Sequence, residues 1–215
     1  MAGPPEPVLR AACEALAAAD PALARAYRET GLPVWRAAPA DYATLCRLIT
    51  HQQISVTAAR AIWARFQAAF DPITPEGLLA ADPDEIRACG LSRPKTRHLQ
   101  SIAHAIVAGD LVLDRVAAAS FDEAREELLS VSGIGPWTAD LFLLYATNAL
   151  DAFPVADIGL TESLRGLTGA ETRMDKAAFA ERGEAWRPYR GVAAHLLWAW
   201  ISAEREKQGR ASPQA

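Results

Sequence analysis

The residues whose types and spacing can carry chemistry lie in one stretch, Leu128 to Leu160, LLSVSGIGPWTADLFLLYATNALDAFPVADIGL. Gly133-Ile134-Gly135 joins two helical patterns there. A glycine hairpin of this kind brings backbone N–H groups to the surface at a helix N-terminus, where a phosphate can approach closely. Ile134, between the glycines, reads as a plug into the core. Gly-x-Gly alone also fits a plain corner between two helices. Asp157 follows Gly135 by 22 residues, after Phe153-Pro154-Val155-Ala156. An aspartate ahead of a helix commonly caps it. A carboxylate so placed can also stabilise positive charge as it develops, and the two roles can coexist. Asp140 and Asp151 are the competing carboxylates. Trp137 and Trp198 read either as core residues at helical spacing or as π-walls for a ligand.

The elements that must position these residues are helical throughout. Alanine, leucine, isoleucine, tryptophan and arginine recur at helical spacing, and alternating β-branched runs are nearly absent. Helices are expected over 8–18, 21–29 and 41–51, with Pro21, Pro33 and Pro39 as breaks. Ser55 caps the next helix, whose apolar stripe is read as Ala58, Ile62, Phe66 and Ala69. Thr74-Pro75 opens a short helix. Asp82 through Glu85 form a capping box with Pro83 at the first helical position. Leu99, Ile102, Ala103 and Ile106 stripe a helix over 94–108 that ends at Gly109. Ser120 and Glu123 form a second box, opening a helix through Leu129. Pro136 opens another that runs to about Ala146. A loop over 148–156 precedes a helix capped by Asp157, and two helices follow over roughly 175–185 and 189–206. The tail GRASPQA is expected to fray. The fold class is all-α, with ten or so helices.

Composition bounds the function. The chain has 215 residues, 51% apolar and 22% charged, enough for a buried core. Cys13, Cys46 and Cys89 form no C-x-x-C pair, which argues against a zinc ribbon, a redox dithiol and a disulfide framework. A cysteine-ligated iron–sulfur cluster normally takes four ligands. No apolar run approaches the ~20 residues of a membrane span, and the N-terminus lacks the order of a signal peptide, so the expected location is the cytoplasm. The histidines show no metal-binding spacing. A net charge of −4 argues mildly against nucleic acid, yet Arg87, Arg93, Lys95 and Arg97 form a stretch without an acidic residue through Gly109. A local basic face on an acidic protein is therefore expected.

Taken together, the hairpin and the Pro-x-x-Asp that follows resemble the helix–hairpin–helix DNA glycosylase superfamily (HhH-GPD), closest to its 3-methyladenine DNA glycosylase II (AlkA-type) branch. Three further segments are similar to that branch: His51-Gln52-Gln53-Ile54-Ser55, Gly90-Leu91-Ser92-Arg93-Pro94-Lys95, and Trp186-Arg187-Pro188-Tyr189-Arg190 with Leu197-Trp198. The resemblance covers about residues 41–202. It implies two helical lobes, one over 41–150 with the hairpin and one combining 1–40 with 151–215, and an active cleft at their junction.

The resemblance also implies roles. Asp157 is the catalytic residue. Trp137, Trp198 and Leu141 bind the substrate base. Gln52, Gln53, Ser55, Gly133, Ile134, Gly135 and Lys95 meet DNA, with Gln53 at the position of the apolar wedge that relatives insert into the duplex. The activity implied is hydrolysis of the N-glycosidic bond of alkylated bases such as 3-methyladenine, with the base flipped out of double-stranded DNA. It implies a monomer and no required cofactor, a monovalent cation at the hairpin being the one ion it admits. Three departures from the family matter. The N-terminal β-rich domain of larger members does not fit this chain. Leu141 stands where some members carry an aromatic. Trp137 stands where strand-cutting relatives carry a lysine, which implies a glycosylase without lyase activity. Two readings from other classes compete, a non-catalytic DNA-binding module and a helical protein-interaction domain.

Overall fold

The computed structural model describes residues 2–209, and the fraying expected of the tail beyond Gly209 lies outside them. The described residues contain thirteen helices and no strand. They divide into two compact units, one built from the chain up to Ala37 and from Asn148 onward, the other from Ala38–Thr147. Each boundary lies three residues before the one read from sequence. Hydrogen bonding explains both shifts. The Ala38 N–H donates to the Tyr145 carbonyl at 3.0 Å, which ties residue 38 into the second unit. The Trp35 indole donates to Asn148 Oδ1 at 2.7 Å, and the Gly191 N–H donates to the Leu150 carbonyl at 2.7 Å. Residues 148–150 therefore belong with the first.

The discontinuous unit holds α1 (Glu6–Ala19), α2 (Pro21–Thr30), α11 (Ile158–Thr168), α12 (Lys176–Glu184) and α13 (Arg190–Lys207). α2 packs on α1 and α13, and α11 packs on α2 and α13. Leu16, Leu23, Phe179 and Trp186 are buried there. A buried carboxylate anchors the packing. Asp20 caps α2 through the Ala22 N–H and accepts from Arg182 at 2.8 and 2.9 Å and from the Trp186 indole at 3.0 Å. Such a buried charge is tolerated only with this many partners.

The continuous unit holds α3 (Tyr42–His51), α4 (Val56–Ala69), α5 (Pro75–Ala80), α6 (Pro83–Ala88), α7 (Arg93–Ala108), α8 (Leu113–Ala118), α9 (Phe121–Ser130) and α10 (Pro136–Ala146). Both expected capping boxes form, at Asp82/Glu85 and Ser120/Glu123. α8 has no side-chain N-cap and was not legible in the sequence. The apolar face of α4 differs from its expected register. Ala59 and Phe66 are buried while Ala58 and Ala69 are exposed. Alanines occupy both 58 and 59, so only packing chooses between them; the chosen face continues to Phe70, whose ring lies 5.0 Å from Phe66. No helix among the described residues is long and apolar enough to cross a membrane.

Candidate active site

In the continuous unit, α9 and α10 form the expected hairpin. Gly133 turns the chain at φ +101°, and a Cβ there would lie 2.7 Å from His98 Cβ on α7. Both facts demand glycine. Ile134 is 4% exposed, the plug its apolarity implied. Gly135 is the N-cap residue of α10, and Pro136 takes the first helical position, where its missing N–H matters least. A partly buried ion pair joins the two helices. Arg125 Nε donates to Asp140 Oδ1 at 2.6 Å, which gives Asp140 a structural occupation. Trp137 is half-buried in the first turn of α10. Leu141 is 3% exposed. It packs in the core with the rest of α10 from Thr138 to Ala146, all of which is buried.

The turn between α3 and α4 carries the Gln-Gln-x-Ser segment. Ser55 Oγ accepts from the Ala58 N–H at 3.2 Å and caps α4, and the residue is exposed. Gln52 turns its side chain inward, and its Nε2 donates to Thr138 Oγ1 on α10 at 2.7 Å. Gln53 is exposed, with φ +55°, at the tip. Ile54 beside it is 39% exposed. His51 is half-buried, its Nδ1 on the Arg47 carbonyl at 2.8 Å, and burial lowers its pKa.

Lys95 is half-buried and has a structural task. Its Nζ donates to the carbonyls of Thr50 at 2.8 Å and Gln52 at 2.7 Å, closing the C-terminus of α3. Burial lowers its pKa. Arg87, too, is engaged, with Asp84 at 2.6 Å. Of the expected basic face, Arg93 and Arg97 remain exposed.

In the discontinuous unit, the loop ahead of α11 delivers Asp157. Its Oδ1 accepts from the Leu160 N–H at 3.2 Å and from the Trp198 indole N–H at 3.3 Å. The cap and the indole set the carboxylate in one orientation, and the helix N-terminus favours its charge. Sequence reasoning missed Gly159. A Cβ at that position would lie 2.9 Å from Asp157 Oδ1, so only glycine leaves the carboxylate its place. A groove of about 690 Å³ runs beside Asp157, lined by Ile158, Thr161, Arg165, Met174 and Lys176 among others. Asp151, the other competitor, is held by Arg187 and Arg190, each at 2.8 Å.

Trp198, on α13, is 6% exposed. His195, one turn before it, meets its ring edge-on, with centroids 5.4 Å apart at 80°. The Arg36 guanidinium stands over the indole, 4.9 Å from the ring centroid. Neither Arg36 nor His195 belonged to the predicted site. Arg36 lies in a segment without regular structure and carries no motif.

The family described as "HhH-GPD superfamily base excision DNA repair protein" matches residues 46–188. The DNA-3-methyladenine glycosylase 1 of Schizosaccharomyces pombe is 32% identical over 161 residues, 73% of this chain and 71% of that protein. The DNA-3-methyladenine glycosylase of Bacillus subtilis is 27% identical over 74% of this chain, which spans only 57% of that relative's length. Among solved structures, the Schizosaccharomyces pombe 3-methyladenine DNA glycosylase in complex with abasic DNA is similar, with a TM-score of 0.83 at 28% identity. That match covers 90% of this chain and 96% of that one.

Proposed function

Because the chain belongs to the HhH-GPD superfamily of base excision DNA repair proteins, we propose that it is a DNA glycosylase releasing alkylated bases, 3-methyladenine and related alkylpurines, from double-stranded DNA. The observation that carries the proposal is the Asp157 carboxylate, anchored by the Leu160 N–H and the Trp198 indole at the start of α11.

The reaction asks little of the protein beyond electrostatics. A methylated purine already carries positive charge and is a good leaving group. As the C1′–N bond lengthens, its electron pair moves to the base and the sugar becomes oxocarbenium-like. A fixed carboxylate stabilises that cation without reorganising at the moment of reaction. Water then bonds to C1′ and gives its proton to solvent. The hairpin N–H groups and the Gln53 turn serve DNA binding. Trp198, whose indole holds Asp157, serves as a wall for the flipped base.

The proposal includes the absence of lyase chemistry. Strand cleavage by a Schiff base needs a lysine amine at the sugar, and Trp137 holds the corresponding position. No cofactor is required. A monovalent cation at the hairpin would rest on neutral backbone oxygens; the Val131 carbonyl, which accepts the Ile134 N–H at 3.1 Å, retains a second lone pair for it. The protein is proposed to act as a monomer on the chromosome, in the cytoplasm.

Asp157→Asn tests the reading, since it keeps the shape and removes the charge. Base release is expected to fall by roughly two to four orders of magnitude, while binding to abasic-analogue DNA survives. The wild-type product should be an abasic site, nicked only after alkali and without a borohydride-trapped adduct. Turnover near wild type by Asp157→Asn would remove the assignment.

A further inference from the structure

Trp198 is held from several directions, and one of its neighbours is a permanent cation. Its indole N–H is on Asp157 at 3.3 Å, its edge meets His195, and the Arg36 guanidinium stands over its ring at 4.9 Å. Arg36 is itself anchored. Its backbone N–H donates to His195 Nε2 at 3.2 Å, and Trp35 stacks on the same imidazole, with centroids 4.0 Å apart at 12°. Since Nε2 accepts, Nδ1 carries the proton and donates it to the Gly191 carbonyl at 2.8 Å. An otherwise irregular segment is thereby clamped with a guanidinium on Trp198.

We infer that Arg36 is a specificity-determining residue, favouring release of neutral damaged bases relative to cationic ones. The inference rests on the glycosylase reading above, with Trp198 as a wall of the base pocket. In either class of substrate the C1′–N bond breaks, its electron pair leaves with the base, and water supplies the oxygen that bonds to C1′. A cationic base starts positive and leaves neutral. A neutral base leaves with the negative charge of the pair, until solvent protonates it. Only the neutral base acquires charge opposite to that of Arg36. Measured from free enzyme and substrate, the guanidinium lowers the transition state for the neutral base and scarcely alters that for the cationic one. It also weakens ground-state binding of the cationic base. An indole with no cation over it would do the reverse, drawing the cationic base by its quadrupole.

The test compares wild type, Arg36→Gln and Arg36→Lys on duplexes carrying 3-methyladenine, hypoxanthine or ethenoadenine, with kcat and KM resolved. Arg36→Gln is expected to lower kcat/KM on the two neutral bases by about tenfold or more. The value for 3-methyladenine should move by less than about threefold, with KM falling. Arg36→Lys, which keeps the charge, should retain most of the neutral-base activity. The ratio of neutral-base to 3-methyladenine kcat/KM is independent of the folded fraction, so a variant that melts early still reports. An unchanged ratio in Arg36→Gln overturns the inference, as does a wild type that releases 3-methyladenine but no neutral base. A wild type that releases none of the three removes the glycosylase reading itself.

Discussion

Gln53 adopts a left-handed backbone, φ +55°, at the exposed tip between α3 and α4. That conformation costs a non-glycine residue about 1 kcal/mol, and the next residue, Ile54, is also exposed. Neither feature serves the fold of the turn, which Gln52 and Ser55 secure by other means. Both fit the proposed function, in which this side chain enters the space left by a flipped base and offsets lost stacking. Gln53→Gly is therefore expected to leave the melting temperature unchanged or higher. Excision from duplex DNA should drop several-fold while excision from single strands stays near wild type. Equal slowing on both substrates, measured side by side, would make Gln53 an ordinary turn residue.

At the scale of elements, the turn that carries Gln53 is fastened to two helices of its own unit. Gln52 reaches α10 through Thr138, and Lys95 of α7 holds the carbonyls of Thr50 and Gln52. Hydrogen bonds to a charged group each contribute about 1.5–3 kcal/mol. Lys95→Met is expected to lose roughly 2–4 kcal/mol of stability, read by chemical denaturation. Amide exchange should accelerate around residues 50–53. The salt dependence of DNA binding separates this role from a phosphate contact. A capping lysine leaves the slope of log affinity against log salt unchanged, whereas a lost phosphate contact lowers it by about one.

At the scale of the whole molecule, the buried imidazole of His195 makes stability depend on pH. Burial pushes its pKa down from 6.5 to about 3. The folded chain keeps the ring neutral, while the unfolded chain takes up a proton as pH falls through 6.5. The unfolded state therefore binds more protons between pH 6.5 and 3, and stability is lost as pH drops through that window. The slope from this one group approaches about 1.4 kcal/mol per pH unit. His195→Gln should flatten the curve of unfolding free energy against pH between about 6 and 4. A curve parallel to wild type over that range would show that His195 does not govern it.

The sequence by itself determined most of the helices, α8 excepted, and the caps at their starts, because these depend on neighbours in the chain. Asp82, Ser120 and Asp157 cap where local hydrogen bonding predicts, and Gly133-Ile134-Gly135 turns because glycine alone tolerates the geometry. What only the tertiary structure decided is which polar groups are occupied inside the fold. Lys95 and Arg97 look alike in a basic stretch, yet one closes α3 and the other stays exposed. Ala58 and Ala59 are indistinguishable until Phe66 and its neighbours choose a face. Arg36 and His195 stand 159 positions apart; no local pattern joins them, and their hydrogen bond exists only because the start of the chain and its last described helix fold into one unit.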